Sequence, residues 1–268
     1  MADSARDATQ TRGGSMSAEH GARATERWVL VTGGSRGIGR AAALELADRG
    51  WNVVVGYLRD QRAADEVAHD LGARGRRVLL AQHNVTNADE CGTLVRQVQA
   101  ECGTLQGFVH CAGLGALSPV LDTRPGRWQL AWDSHVGALL HLLQAARPIL
   151  VPGAGVVALS SLGARSVLPG YASIAAAKGA LETLVRYLAF ELAAQDVHVN
   201  AVCGGPVDTD SLRSFASFAQ LEAESSRRAC RRLGTPADLA PVIAFLVSPE
   251  ARWLRGQVIV VDGGFSLT

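Results

Sequence analysis

The clearest indication of the fold class is the glycine-rich sequence Thr32-Gly33-Gly34-Ser35-Arg36-Gly37-Ile38-Gly39. It follows a short apolar run at residues 28–32 and leads into a helical pattern at residues 37–49. Glycines let the backbone approach a diphosphate, and the start of a helix offers unpaired N–H groups and the positive end of its dipole. A turn of this kind between the first strand and the first helix predicts a dinucleotide site. The alternative is that the glycines serve only to form a tight turn and bind no dinucleotide.

Strand-like and helix-like segments alternate along the rest of the chain. Several apolar runs are continuous, which is typical of strands that are buried on both faces. The strands are predicted at residues 28–32, 52–57, 77–81, 107–111, 155–160, 197–203 and 257–261, and the helices near 37–49, 60–73, 87–102, 126–149, 172–194 and 236–248. This order predicts one α/β domain, a Rossmann-like doubly wound fold with a seven-stranded, mainly parallel sheet and helices on both faces. Ligands then bind at the carboxyl ends of the strands.

Composition narrows the class of protein. The chain has 268 residues, of which 48% are hydrophobic and 19% charged, enough apolar material for a substantial core. A net charge of +1 argues against a nucleic-acid partner, and no apolar run reaches the length of a membrane span. The five cysteines show no C-x-x-C pair and no zinc-like spacing, which indicates no metal site. Their odd number, without a signal peptide, predicts a reducing, cytoplasmic location.

The predicted domain covers residues 28–268. Residues 1–27 carry small and polar side chains without apolar periodicity, so they are predicted to form a disordered N-terminal tail. Residues 209–234 join the sixth strand to the next helix, and a long connection at this edge of the sheet predicts a substrate lid.

Lysine and tyrosine are both scarce. Lys178 is the one lysine among 26 Lys and Arg residues, and Tyr57, Tyr171 and Tyr187 are the three tyrosines. An ammonium is a compact donor that a guanidinium does not replace, so a single lysine in an arginine-rich chain suggests a chemical role. Any phenol that takes part in catalysis comes from the three tyrosines.

Several motifs resemble those of the short-chain dehydrogenase/reductase superfamily. They are Thr-Gly-x3-Gly-x-Gly at residues 32–39, Cys111-Ala112-Gly113, Val199-Asn200-Ala201 and the closing residues 256–264. The resemblance covers about residues 28–268. It implies a nicotinamide dinucleotide held by Gly33, Ser35, Arg36, Gly37, Ile38, Gly39, Arg59, Asn84, Val85, Gly113, Lys178, Val207 and Thr209.

The end of the second strand favours NADP(H) over NAD(H). Sheets that bind NAD usually place an acid there for the ribose 2′-hydroxyl, whereas this chain has Gly56-Tyr57-Leu58-Arg59. Arg59 and Arg36 can pair with a 2′-phosphate, although Asp60 follows immediately. Asn84 stands where the family usually has Asp, and its carbonyl can accept a hydrogen bond from adenine.

The catalytic spacing departs from the common Tyr-x3-Lys of the superfamily. Ile174 stands four residues before Lys178, and Tyr171 stands seven before it. Seven residues are about two helical turns, so both side chains can lie on one stripe. Tyr-x6-Lys resembles the enoyl-thioester reductases of this superfamily, which act on acyl-carrier-protein or CoA substrates. The resemblance implies Tyr171 and Lys178 as catalytic residues, with Ser161 matching the catalytic serine of the general family.

The lid and the helices suggest the partners. Apolar lid residues can line an acyl pocket, while its arginines can meet the phosphates of CoA or an acidic carrier protein; a solvated amphipathic helix is the alternative. The resemblance also implies a homodimer or homotetramer packed through the helices near 126–149 and 172–194. His135 stands where the general family keeps an asparagine, and a proton relay or simple packing are both open.

Three functions remain in view. The first is NADPH-dependent reduction of the C=C bond of an enoyl thioester in fatty-acid or secondary-metabolite biosynthesis. The second is reduction of a ketone or β-ketoacyl thioester by Ser161 and a displaced Tyr171. The third is a catalytically inactive cofactor-binding scaffold, which Ile174, His135 and Cys111 would suit.

Overall fold

The computed structural model describes residues 26–267. The predicted tail, residues 1–27, therefore lies outside the described residues except for Glu26 and Arg27. These two contact the domain: the Glu26 carboxylate pairs with Arg77 at 2.5 Å, and the Arg27 guanidinium lies 4.9 Å from the ring centroid of Trp51.

Seven strands form one sheet in the order β3-β2-β1-β4-β5-β6-β7. Their bounds are β1 Trp28–Thr32, β2 Asn52–Tyr57, β3 Val78–Gln82, β4 Leu105–His110, β5 Leu150–Ser161, β6 His198–Gly204 and β7 Val258–Val261. Every pairing between these strands is parallel, which confirms the predicted doubly wound sheet. The strand order reverses between β1 and β4, where a crevice opens at the carboxyl ends.

Helices cover both faces of the sheet. Their bounds are α1 Gly37–Asp48, α2 Gln61–Ala73, α3 Ala88–Cys102, α4 Pro125–Trp132, α5 Ala138–Ala146, α6 Ala172–Glu191, α7 Asp210–Arg213, α8 Phe218–Arg227 and α9 Pro236–Val247. Alternate residues of β1 supply the two cores: Leu30 packs toward α3, α5 and α6, while Val29 and Val31 pack toward α1, α2 and α9. Within residues 26–267 no helix has both the length and the apolar character to cross a membrane.

The helix predicted over residues 126–149 is instead two helices joined by one wider, π-helical turn at Asp133–Gly137. Ser134 in this turn is buried, and its hydroxyl accepts from the backbone N–H of Leu114 at 3.0 Å. The widened turn thus connects the helix to the loop that follows β4. Turns of this type are frequent at functional sites.

β5 begins at Leu150, five residues before the predicted start of that strand. Pro152 and Gly153 make the early part look like a turn, and Gly153 does have a left-handed φ of +84°. The strand nevertheless continues through this irregularity, since Leu105 on β4 pairs with Leu150 before the register shifts.

Candidate active site

The glycine turn forms a close-packed cradle after β1. A Cβ on Gly39 would lie 2.2 Å from the carbonyl oxygen of Gly33, and Gly33 itself has a φ of +65° against the backbone of Ala112. No side chain caps the N-terminus of α1, and its first turn carries no acidic residue. The backbone N–H groups there therefore stay open toward an anion, and the cradle fits the diphosphate of a dinucleotide.

Two arginines lie near the end of β2 and the start of α1. Arg36 and Arg59 are exposed, and neither makes an ion pair within residues 26–267. Asp60 is the acidic residue that would disfavour the 2′-phosphate of NADP(H). Its carboxylate accepts a hydrogen bond from the N–H of Ala63 at 3.0 Å and so caps α2. The carboxylate is therefore committed to capping the helix, and the neighbouring Arg59 side chain is exposed.

The loop after β3 has its own hydrogen bonds. The Asn84 side-chain oxygen accepts from the N–H of Thr86 at 3.1 Å and from its hydroxyl at 2.9 Å. The predicted contact of this oxygen with adenine would therefore add a third hydrogen bond to it. Val85 is buried beside the sheet, and the ring of His83 fills the space next to Gly56.

The remaining residues predicted to hold the cofactor meet at the same edge of the sheet. The Thr32 hydroxyl accepts from the N–H of Ala112 at 3.3 Å, which fixes the 111–113 loop beside the glycine turn. A Cβ on Gly37 would lie 3.6 Å from the Thr209 methyl, so the loop after β6 also reaches the turn. Ser35 and Val207 are buried, Ile38 packs against the core, and Gly113 lies beneath the ring of His135.

Tyr171 stands directly before the first residue of α6. A Cβ on Gly163 would lie 2.5 Å from a ring carbon of Tyr171, so this glycine lies directly against the phenol ring. Burial raises the pKa of Tyr171, while a hydrogen bond with Ser161 acts in the opposite direction. Ser161 also accepts from the N–H of Gly163 at 3.2 Å. The structure therefore brings Ser161 and Tyr171 together.

Lys178 lies two turns further along α6 and is buried. Its ammonium donates to the carbonyl oxygen of Leu159 on β5. Burial lowers the pKa of Lys178 to about 8, with the thiols of Cys111 and Cys203 acting in the other direction. A lysine with this pKa changes its protonation near neutral to mildly basic pH.

Ile174 occupies the position of the usual tyrosine. It is 5% exposed, and a Cβ on Gly115 would lie 2.3 Å from its Cγ1. The aliphatic side chain thus packs against the loop after β4 and offers no proton. Tyr171 is the phenol that remains beside Ser161 and at the head of the helix that carries Lys178.

The predicted lid touches the phenol. The rings of Phe215 and Tyr171 meet edge to face, with centroids 6.3 Å apart at an interplanar angle of 71°. Thr209 caps α7 by accepting from the N–H of Leu212 at 3.2 Å. On the opposite side, the N–H of Ser118 donates to the carbonyl of Gly170 at 2.8 Å. The Tyr171 ring therefore contacts the lid and Gly163, and the loop after β4 holds the backbone just before it.

Most lid arginines are engaged within the chain. Arg213 makes a two-pronged pair with Asp208 at 2.6 and 2.8 Å, and Arg232 makes one with Asp238 at 2.7 and 2.8 Å. Arg228 donates to the carbonyl of Phe265 at 2.8 Å and lies over its ring. These three fasten the lid to the domain, so they are poorly available for the carrier phosphates that the sequence suggested.

Two buried histidines adjoin the site. His110 Nδ1 lies 3.0 Å from the Thr32 hydroxyl, and burial lowers the His110 pKa to about 3. Burial and the charge of Lys178 lower the pKa of His135 well below its usual range. Both rings are therefore neutral near pH 7. The positive charge of Lys178 contributes to lowering both pKa values. Within residues 26–267 no group of three or more His, Cys, Asp or Glu side chains is placed to hold a metal ion.

Sequence analysis missed two polar residues beside Ser161. Ser160 and Glu182 are both buried, and the Ser160 hydroxyl donates to Glu182 Oε1 at 2.7 Å. A signal was present, since Glu182 stands four residues after Lys178 in an otherwise largely apolar helix. At that spacing an acid lies on the same face as the lysine and turns inward with it.

A model of the family described as Enoyl-(Acyl carrier protein) reductase matches residues 33–266. A 1-cyclohexenylcarbonyl-CoA reductase of Streptomyces collinus is 35% identical over 241 residues, which are 89% of this chain and 86% of the relative. The chain belongs to the short-chain dehydrogenase/reductase superfamily. The predicted enzyme class, a nicotinamide-dependent short-chain oxidoreductase, is thereby confirmed.

One further relative and one solved structure are also similar to this chain. A 3-oxoacyl-(acyl-carrier-protein) reductase of Staphylococcus aureus is 32% identical over 88% of this chain and 96% of its own. A solved short-chain dehydrogenase of Burkholderia cenocepacia, in complex with NADP, superposes with a TM-score of 0.84 at 32% identity. That match covers 90% of this chain and 98% of the solved one.

Proposed function

We propose that this protein uses NADPH to reduce the C=C bond of an enoyl thioester carried by CoA or an acyl carrier protein. The observation that carries the proposal is the position of the phenol. Tyr171 stands seven residues before Lys178 beside Ser161, while Ile174 fills the position four residues before the lysine.

The displaced phenol suits a conjugated thioester. NADPH, when bound, supplies a hydride to the β-carbon, and negative charge then develops on the thioester oxygen. The Tyr171 hydroxyl can donate a hydrogen bond to that oxygen, which lies two bonds further from the hydride acceptor than in a simple ketone. Lys178 carries a positive charge on nearly the same face of α6 as Tyr171. This charge stabilises the negative charge that develops on the thioester oxygen.

Relatives support the same choice. The Streptomyces collinus protein is named for reduction of a cyclohexenylcarbonyl-CoA, which is an unsaturated thioester. The NADP(H) prediction is confirmed at the level of the family, because the Burkholderia cenocepacia structure contains NADP. Arg59 and the capping role of Asp60 agree with that cofactor.

The second candidate is reduction of a ketone or β-ketoacyl thioester. One observation favours it: Ser161 lies near enough to Tyr171 to lower the pKa of the phenol, as the serine of a serine–tyrosine pair for carbonyl reduction would. The Staphylococcus aureus relative is named for that reaction on a 3-oxoacyl substrate.

Parallel assays separate these candidates. Purified protein is given NADPH with crotonyl-CoA or with acetoacetyl-CoA, and the loss of NADPH absorbance is followed with each substrate. The proposal expects crotonyl-CoA to be turned over at least about tenfold more efficiently. Faster turnover of acetoacetyl-CoA would establish the second candidate. Tight NADPH binding without turnover of either substrate would favour an inactive scaffold.

We further propose a homodimer or homotetramer that packs through α4, α5 and α6. Tyr187 and Phe190 on α6 are 64% and 83% exposed, and Trp132 on α4 is 49% exposed. Apolar side chains of this size on neighbouring helices suit burial against a second copy. A cytoplasmic location fits the five cysteines, all of which are free thiols.

A further inference from the structure

The end of β5 and the first part of the connection to α6 are both fastened to one buried carboxylate. Ser160 donates through its hydroxyl to Glu182 Oε1 at 2.7 Å, and Arg165 donates through its guanidinium to Glu182 Oε2 at 3.3 Å. The Glu182 side chain is 10% exposed, whereas that of Arg165 is 43% exposed. One carboxylate therefore uses both oxygens to hold the first and last residues of a six-residue turn.

The middle of that turn carries the groups around the phenol. The Ser161 hydroxyl is close enough to Tyr171 to lower the pKa of the phenol, and Gly163 lies directly against the Tyr171 ring. Any shift of the 160–165 turn would move both of these groups relative to Tyr171. Glu182 itself lies on α6, one helical turn after Lys178, so the same helix carries the ammonium and the carboxylate that fastens the turn.

We propose that Glu182 is a positioning residue that sets the Tyr171 phenol and the Ser161 hydroxyl at their working distance. It acts through Ser160 and Arg165 and does not touch substrate or cofactor. A buried carboxylate with two hydrogen-bonding partners is rigid, because breaking either contact leaves a poorly compensated charge. This inference rests on the proposed role of Tyr171 in the reaction.

The test compares variants of the full chain. Glu182→Gln keeps the acceptor for Ser160 but turns an amide toward Arg165, while Arg165→Gln removes the guanidinium and leaves Glu182 in place. Ser160→Ala removes the other contact. Glu191→Gln, an exposed carboxylate near the end of the same helix, is the matched control. For each protein kcat and KM for crotonyl-CoA, the dissociation constant of NADPH and the unfolding temperature are measured.

Ser160→Ala is expected to lower kcat by about tenfold, since small misplacements of a catalytic group have effects of this size or larger, and Glu182→Gln, which keeps the acceptor for Ser160, should lower it less. KM and NADPH affinity should change less than about twofold in these variants, because neither residue contacts a ligand. Arg165→Gln should lower kcat less, given the exposure of its side chain, and Glu191→Gln should match the parent protein.

A pH profile gives the readout that a merely structural role would not move. Loss of the Ser161 contact removes an influence that lowers the Tyr171 pKa, so the part of the kcat profile that reports Tyr171, at higher pH than the limb from Lys178 near pH 8, should move to higher pH in Ser160→Ala, which leaves the Glu182 charge in place. A lower unfolding temperature with unchanged kcat and unchanged pH profile would overturn the inference. Failure of the parent protein to reduce any thioester would instead overturn the proposed function, so the two failures are distinguishable.

Discussion

The cofactor half and the substrate half of the crevice are built by different means. Around the glycine turn the contacts are between backbones, as where Gly39 meets Gly33 and where Gly33 meets Ala112. Around Tyr171 they are between side chains distant in sequence: Ser160 with Glu182, Tyr171 with Phe215, and Ile174 against the loop at Gly115. Backbone geometry tolerates no larger residue, whereas side-chain pairs can be exchanged without loss of the fold.

This contrast explains how one fold serves different reductions. The half that recognises a diphosphate needs glycines and an uncapped helix start, and few other solutions exist. The half that meets the substrate can shift its phenol by one turn of α6 and still keep Lys178 in place. Mutations should therefore separate the two halves into binding effects and turnover effects.

The largest separation is expected from Tyr171→Phe. Removal of the hydroxyl takes away the donor proposed to stabilise the developing oxyanion, so kcat with crotonyl-CoA should fall by about 10²–10³-fold. NADPH affinity should remain within about twofold, because the glycine turn and Arg59 are untouched. Single-turnover kinetics and a direct NADPH titration measure the two quantities.

The control for this variant is Tyr187→Phe on α6, whose ring is exposed. It should retain full activity and full NADPH affinity. If Tyr171→Phe turned over crotonyl-CoA as fast as the parent protein, the phenol would have no part in the reaction and the contrast between the halves would lose its chemical basis.

His110 lies between the cofactor half and the substrate half of the crevice, where its ring contacts the Thr32 hydroxyl. Burial holds the folded-state pKa of His110 at about 3, below the ordinary histidine value of 6.5. The unfolded chain therefore binds a proton between these pH values that the folded chain does not. Stability from His110 is fully present above about pH 6.5 and is lost progressively as the pH falls toward 3.

From pH 7.5 to pH 5 this one group should lower the free energy of unfolding by about 2 kcal/mol. The buried rings of His83, His135 and His198, whose pKa values are also lowered, act in the same direction. Urea unfolding at several pH values measures the slope. His110→Gln should flatten it and the exposed control His69→Gln should leave it unchanged; equal slopes in both variants would contradict the assignment.

Sequence reasoning reached the fold and the cofactor edge because both depend on local patterns. Continuous apolar runs marked six of the seven strands to within about two residues, and the glycine spacing placed the turn after β1. The two exceptions have physical reasons. Pro152 and Gly153 make the start of β5 look like a turn in the sequence. The π-helical turn at Asp133–Gly137 accompanies a contact between Ser134 and Leu114 that no periodicity encodes.

The substrate half was harder to predict because its partners are distant along the chain. Spacing alone suggested that Tyr171 and Lys178 share a stripe of α6, and the structure adds that Tyr171 stands just before the helix begins. The engagement of Ser160 with Glu182 and of Arg213 with Asp208 depends on folded distances. For the same reason the lid arginines suggested a carrier contact that their internal pairs now argue against.

A milder change is expected from a substitution at Arg59, in the cofactor half of the crevice. Arg59→Ala removes the exposed guanidinium proposed to pair with the 2′-phosphate, so the preference for NADPH over NADH should fall by about tenfold. The change should appear in cofactor affinity, with kcat at saturating cofactor nearly constant, because Arg59 lies far from Tyr171 along the crevice. Arg62→Ala, an exposed arginine of α2 paired only loosely with Glu66 at 3.8 Å, is the matched control. An unchanged preference in Arg59→Ala would move 2′-phosphate recognition to Arg36 and leave the capping role of Asp60 as the sole feature favouring NADP(H) at the end of β2.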